Sequence, residues 1–515
     1  MRRVQTIYHP TPLGEPYWQS AKRGEAHWPQ RTKECALSNS TTSRPTIDVL
    51  PLIENQKAGR FWTALFSVSW LVAFLDGFDL QVISFAGRYL KQSYHLTNTE
   101  LGTLGTVGVV GTLLGGIVIG YLGDRVGRKP AIVVSVTGFG IFMVLVAFAQ
   151  DYPQLVLLRL VTGLFVGGAL PPVWALVSEF APIRLRSTSV VIVMVGYSIG
   201  SASGGPLSNL LIPRFGWQSV FLAGGAASLV VLVAVVLVLP ESVKFLAQKG
   251  LAPDRIGRIL RRVRPGISLP ADAKYVAGTE AIERKQFTPV ALFRGRLAMI
   301  TLLVWASYFC SATVVFYLTF WGPILNEQIG FSVSAAATLA AGTSAAGALG
   351  QVLIGRFIDH RGAGAIAYMP LLAVPCLLVI GFVHLSALAY VVVLLLSNVF
   401  IIGGHGGVIS VSGIFYRPAI RANGAGWATS VSKLGAMLGP WLAGVLLDHG
   451  LNAQGTFFVF AVFPLAMMTL LMVLGRLQRR LPATADGSLR PVTAAAGGAG
   501  AAARREETTT PGVSG

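Results

Sequence analysis

The chain has 515 residues, of which 53% are hydrophobic and only 12% charged, and its mean hydropathy is +0.63. A soluble globular chain carries roughly 25% charged residues, so this composition excludes an ordinary soluble domain and points to surface that faces lipid. The net charge of +19 comes without a basic stripe interleaved with base-stacking aromatics, which excludes nucleic acid as a partner and leaves the anionic lipid bilayer. Cys35, Cys310 and Cys376 have no paired spacing, so neither a disulfide framework nor a thiolate metal site is indicated.

Residues 1–58 start on a basic Met1-Arg2-Arg3 but contain no apolar segment, so no cleavable signal is expected. Their mixture of Pro, Ser, Thr and charge lacks a helical period and predicts a disordered N-terminal tail. From residue 59 the chain alternates polar breaks with apolar runs of roughly 20 to 28 residues, each able to cross a hydrocarbon layer about 30 Å thick. A first bundle, 59–239, has predicted spans at 61–86, 101–122, 130–149, 153–177, 188–212 and 218–239. The connection 240–296 carries Arg255, Arg258, Arg261, Arg262 and Arg264, which reads either as a basic interfacial helix or as a solvated linker. A second bundle, 297–476, has predicted spans at 297–323, 333–357, 364–384, 387–414, 423–447 and 455–475. Residues 477–515, rich in Ala, Gly and Thr, predict a disordered C-terminal tail. The fold class expected is an all-α membrane protein of twelve transmembrane helices in two pseudo-symmetric six-helix bundles.

The basic residues support that count. All but five of the 41 Lys and Arg fall on the tails, the central connection and the even-numbered loops. The five are Arg88, Lys91 and Arg214 on the opposite side, and Arg159 and Lys433 within spans. Because positive residues concentrate on the cytoplasmic side, a multi-pass protein of the cell (inner or plasma) membrane with both termini in the cytoplasm is expected.

An internal repeat runs through the chain. GYLGDRVG at 120–127 matches GRFIDHRG at 355–362 with an offset of 235 residues, and the same offset relates Arg186 to Arg421 and Gly200 to Gly435. Two similar six-helix units place a solute cavity near the bilayer midplane between them. Glycines three and four apart, such as Gly111, Gly115 and Gly116, or Gly196 and Gly200, let helix backbones approach closely.

Residues 116–129 (GIVIGYLGDRVGRK) resemble the loop motif between spans two and three of the major facilitator superfamily, and the copy at 355–362 fits its second half. Within that superfamily, DGFD at 76–79, the stretch 159–171, SEFAP at 178–182, PESVKFL at 240–246 and RANGAGW at 421–427 resemble aromatic acid/proton symporters over about 60–476. The resemblance implies proton-coupled uptake of a small aromatic carboxylate such as benzoate or a hydroxybenzoate. Partners are then the acid, a proton and the bilayer, with a monomer expected to suffice.

The residues themselves narrow the site. An ionisable group at the centre of a span costs at least roughly 2.5–3.5 kcal/mol, so Asp76, Asp79, Arg159 and Lys433 need a reason to be there. Asp76 and Asp79 share one helical face, and Arg159 enters span four at comparable depth. A carboxylate held between burial, which opposes charge, and a guanidinium, which favours it, can exchange a proton as its surroundings change. The alternative is a fixed Asp–Arg tie between spans one and four. Lys433 lies near midplane in span eleven, where it can hold a substrate carboxylate or snorkel to the interface. The resembling family typically has Arg there; Lys supplies a point charge in place of a bidentate fork.

On span seven, Trp305, Tyr308, Phe309, Phe316, Tyr317 and Trp321 recur at spacings of three and four. Of these, Tyr308, Phe309, Tyr317 and Trp321 are candidate substrate contacts, core or interface roles being the alternative. His405 is expected to be a satisfied polar histidine. Asp124, Arg125 and Arg128, with Asp359 as twin, and Glu179, Arg186 and Arg421 are candidate gating residues at the cytoplasmic face, against plain positive-inside topology. No phosphate-cradling loop, nucleophile elbow or zinc spacing is present, so an enzyme, an ATP-driven pump, a metal and a cofactor are not expected. Competing readings are another carrier of the superfamily, for sugars, organic acids or drug efflux, and a transporter-like sensor. Span five, GYSIGSASGGP at 196–206, lacks the usual antiporter Gly-Pro-x-x-Gly-Gly order.

Overall fold

Each polar break between apolar runs carries its own start and stop chemistry. Thr97 and Glu100 form a capping box, with Glu100 N donating to Thr97 Oγ1 at 3.1 Å and Thr97 N donating to Glu100 Oε2 at 2.8 Å. Asp151 receives Gln154 N at 2.8 Å and starts the helix that follows. Gly127 joins two helices at φ +125°, a backbone conformation only glycine takes without strain.

A computed structural model of the chain describes residues 45–54, 56, 59–270, 273–277, 292–293, 295–361, 366–416 and 418–480. The N-terminal half comprises α2 (Arg60–Ser93), α3 (Asn98–Val126), α4 (Arg128–Val146), α5 (Tyr152–Phe180), α6 (Arg186–Phe215) and α7 (Gln218–Val238). The C-terminal half comprises α10 (Arg296–Gln328), α11 (Val333–Arg361), α12 (Tyr368–Phe382), α13 (Ala387–Phe415), α14 (Pro418–Asp448), α15 (Ala453–Phe460) and α16 (Val462–Arg480). Among the described residues eleven helical spans are long and apolar enough to cross a membrane, with α15 and α16 counted as one. The twelfth, α12, has 15 residues, or about 22 Å at 1.5 Å per residue, short of the expected 364–384.

The repeat is physical as well as textual. Helix α3 packs on α5 as α11 does on α13, and α2 packs on α6 as α10 does on α14. A Cβ added to Gly115 would strike the Leu164 carbonyl, and one added to Gly350 the Val399 carbonyl. Likewise Gly200 lies against the Phe74 carbonyl and Gly435 against the Phe309 carbonyl. Each contact in the first half recurs 235 residues later at both of its members. Small residues at these crossings bring backbones together where lipid provides no hydrophobic drive.

Two expectations change. The tail predicted to be disordered through residue 58 is ordered over 46–54: β1 (Thr46–Asp48) pairs in parallel with β2 (Lys274–Val276), and α1 (Leu50–Glu54) follows. Val49 and Ile53 bury their side chains, Glu54 pairs with Arg186 at 3.1 Å, and Gln56 Nε2 donates to the Phe180 carbonyl at 2.5 Å. The central connection contains α8 (Val243–Lys249) and α9 (Pro253–Val263). The apolar stripe of α9, Ile256, Ile259, Leu260 and Val263, is buried against the protein, and its arginines are exposed. Residues 477–480 of the predicted C-terminal tail complete α16, and residues 1–44, 55, 57, 58 and 481–515 of the two predicted tails lie outside the described residues.

The Gly115 contact is testable against its neighbour. Gly115→Ala forces the α3–α5 crossing apart and is expected to cost about 1–3 kcal/mol, read as a lower melting temperature of the detergent-solubilised protein. Gly116→Ala, whose methyl would meet only the Gly167 carbonyl at 3.6 Å, leaves the melting temperature in place. Equal melting temperatures for the two variants would contradict the crossing.

Candidate transport site

A cavity of about 60 Å³ lies between the two halves. Asp76, Asp79, Arg159 and Tyr197 line it from the N-terminal half, and Phe316, Thr319, Phe320 and Lys433 from the C-terminal half. Small-molecule sites commonly enclose roughly 300–1,000 Å³, so a bound ring requires these walls to part.

The strongest interaction in it is buried. Arg159 Nη1 donates to Asp79 Oδ1 at 2.8 Å and Nη2 reaches Oδ2 at 3.5 Å, with the two side chains 3% and 7% exposed. Gly108 makes room for the guanidinium, since a Cβ there would lie 3.3 Å from Nη2. Arg159 Nε has no partner among the described residues. The pair joins α2 to α5 at the cavity wall, so sequence reasoning about their common depth is matched by the geometry.

Asp76, one turn earlier on α2, lines the same cavity and is not paired with Arg159. It and Lys433 line the cavity from opposite halves. Lys433 Nζ also stands 6.0 Å from the Phe316 ring centre. Sequence spacing does not connect residue 76 with residue 433. Tyr197, on α6, was likewise missed, because a single tyrosine in an apolar span carries no local signal.

The four aromatic candidates sit elsewhere. Trp321 is fully buried and donates Nε1 to the Pro440 carbonyl at 2.9 Å. Tyr317 is hydrogen-bonded with Thr456 at 2.7 Å and stacks on Phe460 with ring centres 3.7 Å apart. Tyr308 donates to the Ile409 carbonyl at 3.0 Å, and the Phe309 backbone receives α14 at Gly435. None of the four lines the cavity; the rings of α10 that do are Phe316 and Phe320. His405 lies beside Ser311, Nδ1 to Oγ 2.7 Å, as a satisfied polar histidine would.

The halves meet toward one face, the far face, which carries the end of α2 and the start of α3. There Arg88 pairs with Glu327 at 3.1 Å, Ser84 donates to the Phe320 carbonyl and Thr106 to the Met437 carbonyl at 2.7 Å. Asp448, at the end of α14, accepts from Asn98 N at 2.9 Å, Asn98 Nδ2 at 2.8 Å and Thr99 N at 2.7 Å. A carboxylate of one half thus caps a helix of the other. Sequence analysis passed over Asp448 because a charge at a span end reads as topology.

On the opposite face, which carries β1 and the central connection, the candidate gating residues stay within their own half. Asp124 pairs with Arg128 at 3.1 Å, Arg128 approaches Glu179 at 3.8 Å, and Arg125 lies over the Tyr121 ring at 4.5 Å. Arg186 pairs with Glu54, and Arg421 Nε donates to the Tyr416 carbonyl at 3.4 Å. The side chain of Asp359 lies outside those described. Glu241, within the PESVKFL stretch, accepts from Arg128 N at 2.7 Å and Ser242 N at 2.9 Å, while Ser242 Oγ donates to Glu179. It caps α4 from the central connection.

A two-bundle membrane carrier is what this fold and its midplane charges define. The sequence profile of the Major Facilitator Superfamily matches residues 69–418. The 4-hydroxybenzoate transporter PcaK of Acinetobacter baylyi is 32% identical over 422 residues, 80% of this chain and 91% of that protein. A gallate transporter of Pseudomonas putida is 31% identical over 410 residues, 79% and 90% of the two. Among solved structures, an inward-facing, unoccupied bacterial homologue of the human lysosomal transporter Spinster superposes with a TM-score of 0.63 at 18% identity, covering 82% of this chain and 98% of that one. The chain belongs to the major facilitator superfamily.

If Asp448 holds the far face shut, its removal opens that face. In a background without native cysteines, Asp448→Ala is expected to raise thiol labelling of Thr106→Cys from that side by about tenfold, a value consistent with losing charge-assisted bonds at an exposed site. Unchanged labelling would show that the cap does not contribute to closure.

Proposed function

We propose that the chain is a proton-coupled symporter that imports a small aromatic carboxylate by alternating access. The observation that carries the reading is the buried Asp79–Arg159 pair on a cavity that also holds Asp76 and Lys433. The substrate class comes from the relatives, named for 4-hydroxybenzoate and gallate. Both are aromatic acids, and Lys433 beside the Phe316 ring offers such a molecule a cation for its carboxylate and a face for its ring.

With both termini in the cytoplasm, as the Lys and Arg distribution supports, the far face is the outer one and the conformation described is closed to the outside. A proton from outside neutralises Asp79, or Asp76 and Asp79 together, and relaxes the hold on Arg159. The acid binds at Lys433 and the walls close on it. When the cytoplasmic side opens, water returns to the carboxylates, and proton and acid leave together. In the opposite conformation Asp124, Arg125, Arg128, Glu179, Arg186, Arg421 and Asp359 draw the cytoplasmic ends of the two halves together; here the described members of this set bind partners in their own half. In this reading the transporting unit is the monomer.

Purified protein in proteoliposomes, given an imposed acid-outside gradient, is expected to accumulate labelled 4-hydroxybenzoate. Asp79→Asn abolishes that accumulation by removing the buried carboxylate from its cavity. Accumulation by the variant at the wild-type level, with equal protein incorporated, would rule out Asp79 as the carrier.

A further inference from the structure

A second cavity, of about 30 Å³, lies between α2 and the C-terminal half. Thr319 lines both this cavity and the one that holds Lys433, so the two adjoin. Its other polar walls are Gln81, Asn326, Thr343, Ser344 and Asn398. So many polar groups at this depth require partners.

Those groups offer both acceptor oxygens and amide N–H donors. Thr343 and Ser344 donate their hydroxyl protons to the Ala340 carbonyl at 2.8 and 3.0 Å, which leaves their oxygens as acceptors. The Asn398 amide donates to the Leu394 carbonyl at 2.9 Å, and Asn326 Oδ1 already receives the Tyr390 hydroxyl at 2.7 Å. Gln81 is 3% exposed, and its Oε1 is buried without a hydrogen-bond partner among the described residues. An O–H group, which both donates and accepts, matches this mixed wall, whereas a carboxylate, which only accepts, leaves the oxygens of Gln81, Thr343 and Ser344 without a donor. The space suits a hydroxyl, since one water occupies roughly 10–15 Å³ on this kind of measure.

We propose that this second cavity is a subsite for a ring hydroxyl of the transported acid, which donates to Gln81 Oε1 while the carboxylate is held at Lys433. The inference rests on reading the chain as an aromatic acid carrier. It narrows the substrate class to phenolic acids and makes Gln81, five residues beyond Asp76 on α2, a specificity residue. A hydroxyl in this subsite bridges α2 of one half to α10, α11 and α13 of the other, so the correct substrate helps to draw the halves together.

The test compares initial uptake of benzoate with that of 3- and 4-hydroxybenzoate in proteoliposomes, for the wild type, Gln81→Met and Ser344→Ala. Gln81→Met keeps length and volume but removes the amide acceptor. The kcat/KM ratio of the better hydroxybenzoate over benzoate is expected to fall by about tenfold or more in Gln81→Met, and in the same direction but less in Ser344→Ala. A ratio unchanged in both variants overturns the subsite, as does an equal fall for all three acids, which marks a cavity filled by structural water. Loss of uptake when sodium is replaced by choline overturns it in favour of a cation. Should Gln81→Met fail to fold, the Ser344→Ala ratio decides. Wild-type protein that transports none of the three acids overturns the aromatic acid reading itself.

Discussion

Everything in this carrier is arranged around one costly contact, the Asp79–Arg159 ion pair in the low-dielectric interior. Each charge alone would cost several kcal/mol at such depth, and their attraction offsets this only while the geometry holds. Removing one partner leaves the other buried and uncompensated. A proton added to Asp79 has the same effect on the electrostatics without removing an atom. In the proposed cycle the pair is therefore the point at which a small chemical event changes the free energy of the cavity by a large amount.

For that change to become motion, each half must move as a body. The glycine crossings at Gly115 and Gly200, repeated at Gly350 and Gly435, lock α3 to α5, α2 to α6, and their counterparts to one another at backbone distance. Between the halves, ion pairs and caps such as Arg88 with Glu327 and Asp448 on the start of α3 combine with close glycine approaches, Gly102 to the Pro440 carbonyl and Gly444 to the Asn98 carbonyl. Rigid units that meet along such a seam can part and rejoin there while their own cores stay packed. Lys433 and Asp76 line one cavity from opposite sides of that division.

Much of this was legible in the sequence, and the failures have physical reasons. Helix number, the repeat and the Asp79–Arg159 pairing follow from hydropathy, offset and rise per residue, which are local or additive quantities. The aromatics of α10 show where such reasoning stops. Phe316 and Phe320 are four apart, and so are Tyr317 and Trp321; both pairs make a valid helical face, about 100° from each other. Only the arrival of Pro440, Thr456 and Phe460 decides that Tyr317 and Trp321 pack inward and that Phe316 and Phe320 face the cavity. Asp448, Glu241 and Gln81 were hidden for the same reason, since each acts on an element distant in sequence. The tail segment 46–54 was missed because three residues of strand gain meaning only beside β2.

The central claim is that binding of the acid and protonation of the α2 carboxylates are one coupled event. Calorimetric titration of the purified protein with 4-hydroxybenzoate, in buffers of different ionisation enthalpy at one pH, measures it directly. The account predicts a binding enthalpy that varies with the buffer in the sense of proton uptake by the wild type, and that no longer does so once Asp76 and Asp79 are both replaced by Asn. A wild-type enthalpy independent of the buffer, with the acid still bound, would contradict the account.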